Sequence, residues 1–204
     1  MRLTNIVWTT AIIAAAVILT AVLSTASLRA DSDGVGPQGQ LAEGPLKKQA
    51  QITRGKYLVD IMGCHDCHTP TKMGPNGPEQ DRTRALSGHP EQHVMPPAPP
   101  ASGPWIASIA DTFTAFASPG GTVFTRNLTP DKETGLGDWT VEEFIATMKT
   151  GRERGKGRPV LPPMPVQNLR NLSDTDIRAL FAYLQSIPAI KNRIPQPIEP
   201  EGKQ

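Results

Sequence analysis

The sequence predicts a mostly α-helical fold with long loops, in which a few helices wrap round one covalently held group. Three observations point that way. Proline (21) and glycine (18) make up near a fifth of the 204 residues, against a usual share of about 12%. Helical hydrophobic spacing is confined to a few short stretches. The side chains themselves offer little core: hydrophobic residues are 38% and aromatics 5%, so a large apolar cofactor fits the deficit. The formal charge of +2 is carried by Arg2 and Arg29 in the first thirty residues. The remainder is balanced, and nothing in it points to nucleic acid.

Ile6 to Leu23 carries no charge and ends in the small residues Ser24-Thr25-Ala26-Ser27. Residues 1–30 therefore read as a cleaved export signal or as an uncleaved single-span anchor, the length favouring the anchor. Either way the body is exported. Residues 31–46, polar and rich in Gly, Pro and Gln, read as a flexible linker. The folded domain is expected over 47–188. Its first helix is predicted over 48–62 from Leu58, Ile61 and Met62 at i, i+3, i+4, with Tyr57 alongside. Gly63 stops it.

Directly after that stop comes Cys64-His65-Asp66-Cys67-His68, which contains the only two cysteines of the chain. C-x-x-C-H is the spacing at which two thiols add to the vinyl groups of one haem while the histidine ligates its iron. One backbone turn separates the sulfurs, so both reach one edge of the porphyrin. Two other readings exist. A redox C-x-x-C needs a thioredoxin-like alternation of strands and helices, and a zinc site needs more ligands, for which His89 and His93 are candidates. His65 is expected to point outward with no metal role.

Residues 69–104 are dense in Pro, Gly and polar groups, with Pro96-Pro97-Ala98-Pro99-Pro100 favouring an extended conformation. Trp105 to Ala117 has helical spacing at Ile106, Ile109, Ala110 and Phe113. Pro119-Gly120-Gly121 ends it, and Thr122–Thr125 is expected to be a short strand. Thr140 and Glu143 form a T-x-x-E capping box for a helix carrying Phe144, Ile145 and Met148, closed by Gly151. Ser173 and Asp176 start the last helix, whose stripe of Ile177, Leu180, Phe181 and Leu184 is expected to pack on the Tyr57–Ile61 face of the first. Residues 189–204, with Pro195, Pro197 and Pro200, are expected to be an extended surface tail. A single C-x-x-C-H predicts one haem.

The best candidate for a second iron ligand is Met164, in Leu161-Pro162-Pro163-Met164-Pro165. Flanking prolines hold that loop extended and reduce the entropy lost in presenting one side chain. Met95, Met73, His89 and His93 remain alternatives. A thioether opposite histidine favours ferrous iron and raises the potential relative to a second histidine. Arg152, Arg154, Lys156 and Arg158 read either as a solvated connector or as partners for haem propionates or for an acidic protein. Arg126, Asn127 and Trp139 are further candidates for propionate contacts.

Several stretches resemble the class I cytochrome c family. They are Arg54-Gly55-Lys56-Tyr57-Leu58 running into Cys64–His68, Asn127-Leu128-Thr129-Pro130-Asp131, Thr134 to Trp139, Pro163-Met164-Pro165 and Leu172-Ser173-Asp174 with Ala182-Tyr183-Leu184. They are most similar to cytochrome subunits and carriers of bacterial periplasmic dehydrogenases and oxidases. The resemblance implies a cytochrome c-like fold with crossing first and last helices, and haem c held through Cys64 and Cys67. It also implies His68 as proximal ligand, Met164 as distal ligand, and Asn127 and Trp139 lining the pocket. The separation of His68 from Met164 exceeds that of compact members, so residues 72–126 form an insertion.

The expected function is a periplasmic protein passing one electron at a time between redox protein partners, without enzymatic activity of its own. The alternative is a fixed cytochrome subunit of a larger membrane redox complex, a dehydrogenase or a quinol-oxidising assembly. A haem peroxidase or gas sensor follows only if Met164 leaves the iron.

Overall fold

A computed structural model describes residues 44–100 and 103–200. The apolar Ile6–Leu23 stretch and the linker up to residue 43 lie outside them. Among the described residues no helix is long and apolar enough to cross a membrane.

Helix α1 spans Pro45–Ile61, with proline in its first turn where no N–H partner is needed. Gly63 follows with φ 67°, the left-handed conformation that glycine adopts at no steric cost. That reversal starts the short helix α2, Cys64–His68. Helix α3, Val141–Thr150, has the full reciprocal capping box between Thr140 and Glu143 and ends at Gly151, φ 69°. After a single turn α4, Val166–Leu169, helix α5 runs over Asp174–Leu184, with the Ser173 hydroxyl accepting from the Asp176 N–H.

Helices α1 and α5 pack against each other along their lengths, but not through the face the spacing suggested. Tyr57 and Ile61 are 52% and 59% exposed, whereas Leu58 and Val59 are buried. The crossing point is Gly55, where an added Cβ would collide with the Ala179 carbonyl oxygen. A glycine contributes nothing to a hydrophobic stripe, yet here it sets how closely the two helices approach. Leu58, Val59, Leu136, Phe144, Ile177, Leu180 and Leu184 form the core beneath this crossing.

The insertion contains β-structure. Strands β1, Thr71–Gly74, and β2, Gly77–Gln80, form an antiparallel hairpin. Strands β3, Ser108–Ile109, β4, Ala115–Ser118, and β5, Gly121–Phe124, form a three-stranded antiparallel sheet in that order. The helix expected over Trp105–Ala117 is therefore absent. The chain instead turns through Ala110–Phe113, with Phe113 at φ 56° and its N–H donating to the Ala110 carbonyl. The strand expected at Thr122–Thr125 is present as β5.

The C-terminal segment is extended, but it is not a surface tail. Asn192 and Ile194 are both buried. The Asn192 amide donates to the carbonyls of Ser87 (2.7 Å) and His89 (2.8 Å). Its oxygen accepts from Arg84 Nη2 and the Glu91 N–H, each at 2.9 Å. Further on, Thr122 and Ile198 exchange two backbone hydrogen bonds of 2.9 Å. The segment thus straps the insertion down along its length.

Candidate functional site

The turn at Gly63 delivers Cys64, Cys67 and His68 to one wall of a cavity of about 450 Å³. Val59, Leu180 and Leu184 from the crossing helices line it. Phe116, Val123 and Phe124 from the sheet contribute another part of the lining, and the loop Pro159–Val166 supplies a third. The lining is predominantly apolar with a few polar groups, and the volume falls in the ordinary range of ligand sites, about 300–1,000 Å³.

His68 is buried, and its Nδ1–H donates to the Arg126 carbonyl at 2.8 Å. That bond fixes the tautomer and leaves Nε2 as the free lone pair, the usual arrangement of a metal-bound imidazole. Burial pushes the ring below the ordinary histidine range, which favours the neutral form that a metal ligand needs. Burial also pushes the Cys64 thiol up to about 11 and Cys67 upward, with Asp66 adding to the effect. Reactive redox cysteines have lowered values in electropositive surroundings, so these two do not suit thiol–disulfide exchange.

The zinc reading meets a similar obstacle. His89 is buried, with Nε2 paired to the His93 carbonyl at 2.8 Å and Nδ1 to Thr114 Oγ1 at 2.9 Å. His93 pairs with Asp111 at 3.4 Å, and neither histidine lines the cavity. Among the described residues no group of three or more His, Cys, Asp or Glu side chains is placed to hold a metal ion. His65 pairs with Thr69 Oγ1 and stays outside the cavity.

Of the methionines weighed as iron ligands, Met164 lines the cavity and Met95 does not; Met73 is 77% exposed. Two thioethers that spacing had assigned only to helix faces, Met62 and Met148, also reach the cavity. Both are packed against the hydrophobic core, whereas Met164 sits on the proline loop.

Asn127 and Trp139 both line the cavity, with different occupations. The Asn127 amide donates to Thr134 Oγ1 (3.1 Å) and the Ile190 carbonyl (2.8 Å), and its oxygen accepts from the Thr129 N–H and hydroxyl. It holds the turn that follows it, which leaves it little capacity for a propionate. Trp139 lies under the Arg154 guanidinium, 4.9 Å from its ring centre, and Arg154 is bound to Asp138 and Glu143. Of the basic run, Arg158 reaches the cavity together with Arg126. Both bind Glu153.

Sequence reading missed Thr125. It lines the cavity, and its buried hydroxyl has no hydrogen-bond partner. A mainly apolar cavity that carries two thiols, an imidazole and two arginines fits an apolar macrocycle with an anionic edge. The residues present therefore suit haem.

Residues 52–188 match the family model described as Cytochrome c. The alcohol dehydrogenase (quinone), cytochrome c subunit, of Gluconobacter oxydans is 31% identical over 150 residues, which are 72% of this chain and 24% of that protein. The fructose dehydrogenase cytochrome subunit of Gluconobacter japonicus is 28% identical over 152 residues, 72% of this chain and 24% of that protein. The gluconate 2-dehydrogenase cytochrome c subunit of Pantoea cypripedii is 28% identical over 134 residues, 66% of this chain and 22% of that protein. The chain thus spans about a quarter of the length of these curated relatives.

Proposed function

The chain belongs to the cytochrome c family, and on that premise we propose that it carries single electrons on one haem c, held through Cys64 and Cys67 and ligated by His68 and Met164. The observation that carries this reading is the buried His68, its Nδ1–H committed to the Arg126 carbonyl at 2.8 Å, on the wall of the cavity that Cys64, Cys67 and Met164 also line.

Haem supplies a one-electron ferric–ferrous couple when bound. The chain does the rest. The Arg126 carbonyl orients the imidazole and raises its basicity. Pro162, Pro163 and Pro165 restrict the loop that presents the Met164 sulfur. Core side chains from the crossing helices and the sheet give the cavity a mainly apolar lining. With His68 and Met164 both held to the iron, no position would remain open to substrate, which would favour electron transfer over peroxide or gas chemistry.

The protein is exported, by way of residues 1–30, to the outer face of the cytoplasmic membrane, where it exchanges electrons with protein donors and acceptors. A second reading, a fixed subunit of a dehydrogenase complex, is favoured by relatives named as dehydrogenase cytochrome subunits. Purification from membranes separates the two: a stoichiometric partner supports the subunit, a free monomer the carrier.

Absorption spectroscopy tests the ligand set. The oxidised protein is expected to show the weak sulfur-to-iron band, and Met164→Ala to lose it while keeping covalent haem. The reduced wild-type protein is expected to resist carbon monoxide. Rapid carbon monoxide binding, or a band that survives Met164→Ala, would refute ligation by Met164.

A further inference from the structure

Glu153 stands at the wall of the same cavity, flanked on each side by an arginine. Its Oε1 accepts from Arg126 Nη2 and its Oε2 from Arg158 Nε, both at 3.0 Å. All three residues line the cavity, and all three side chains are about a third to two-fifths exposed. This is not a floppy rim pair. The Glu153 N–H donates to the Arg158 carbonyl at 3.0 Å, and its carbonyl accepts from Gly157 at 2.7 Å. Arg152 and Pro159 close the same loop as an antiparallel bridge. Arg126 in turn is tied to the iron-ligand histidine, since its carbonyl holds His68 Nδ1. The basic run, for which the sequence left open a solvated connector or a partner for haem propionates or an acidic protein, is at this point a folded loop placing one carboxylate between two guanidinium groups.

Resting on the haem reading above, we infer that Glu153 sets the reduction potential of the centre, its carboxylate offsetting the fields of Arg126 and Arg158. A ferric haem carries one more positive charge than a ferrous haem. A fixed negative charge at the cavity wall therefore stabilises the oxidised form, and a fixed positive charge stabilises the reduced form. These charges are partly desolvated, so their fields act through a lower effective dielectric than water. The electron itself comes from and returns to an external one-electron mediator, and no bond in the protein changes.

The test is a redox titration of the intact haem protein with soluble mediators, read from its absorption bands, in wild type, E153Q, R158Q and E153Q/R158Q. At a fixed ambient potential near the midpoint, E153Q is expected to raise the reduced-to-oxidised ratio roughly tenfold, about 59 mV for a one-electron couple. R158Q is expected to lower the ratio. The charge-matched double variant should return to within about twofold of wild type. Opposite signs are the signature of a field, because a merely loosened or wetter cavity would move all three variants in one direction. If E153Q alone fails to fold, R158Q and the double variant carry the same comparison.

Movement of E153Q and R158Q in the same direction, or shifts smaller than twofold, overturns the inference while leaving the haem reading intact. A wild-type protein that holds no covalent haem overturns both.

Discussion

At the scale of the residue, His89 illustrates how an environment decides a charge. It has no exposed surface, and its Nε2–H donates to the His93 carbonyl while Nδ1 accepts from Thr114 Oγ1. Burial is the largest influence and holds the ring below the ordinary histidine value, which is about 6.5. Below that pH the unfolded chain takes up a proton that the folded chain resists. Stability is therefore complete above about pH 6.5 and declines as pH falls from there toward the depressed folded value. Urea midpoints measured between pH 7.5 and 5 should fall with acidity in wild type, and less steeply in His89→Gln. Parallel slopes for the two proteins would remove His89 from the account. Sequence had offered this histidine as a ligand, because position alone cannot reveal that both ring nitrogens are spent. That His68 stands beside the two cysteines at one cavity wall, by contrast, was legible from spacing, since C-x-x-C-H constrains the backbone locally.

At the scale of the element, what could be read depended on whether the determinants were local. The capping box of Thr140 and Glu143, and the serine cap at Ser173, are contacts within four residues, and both helices start where those residues say. Trp105–Ala117 failed for the opposite reason. Ile106, Ile109, Ala110 and Phe113 repeat at helical intervals, but strands of two to four residues are too short to show an alternation of their own. Ile109 instead stands opposite Phe116 across the sheet. The C-terminal strap was invisible because Asn192 binds Arg84, Ser87, His89 and Glu91, all about a hundred residues away. Asn192→Ala strands several of those buried groups, each worth about 1–3 kcal/mol. We expect a loss of roughly 2–4 kcal/mol by chemical denaturation, and a loss within about 0.5 kcal/mol of zero would show that water replaces the amide.

Gly55 makes the same point for the helix crossing. Its lack of a side chain escaped the hydrophobic pattern, which named Leu58, Ile61 and Met62 with Tyr57 alongside. Tyr57 instead lies beneath Arg54 on the outer surface, 5.4 Å from ring centre to guanidinium. Gly55→Ala should force α1 and α5 apart at the Ala179 carbonyl, at a cost of about 1–3 kcal/mol. A denaturation midpoint equal to that of wild type would mean that the crossing yields without strain.

At the scale of the whole molecule, a chain poor in aromatic side chains leaves an apolar cavity where a larger protein would have core. The crossing helices, the inserted sheet and the proline loop each supply part of its lining. The insertion therefore has a structural role that spacing could not assign, because Phe116, Val123 and Phe124 face the cavity. A cavity of this kind makes the fold depend on its occupant: a ligand that binds the native state alone stabilises it. The central claim is that the occupant is haem, joined covalently to Cys64 and Cys67. Its most direct test is the mass of the chain exported by cells competent in haem attachment, measured after unfolding and extraction with acidic acetone. The expected mass is that of the polypeptide plus one haem, the addition disappearing in Cys64→Ala/Cys67→Ala; the mass of the bare polypeptide in the wild-type protein would contradict covalent haem.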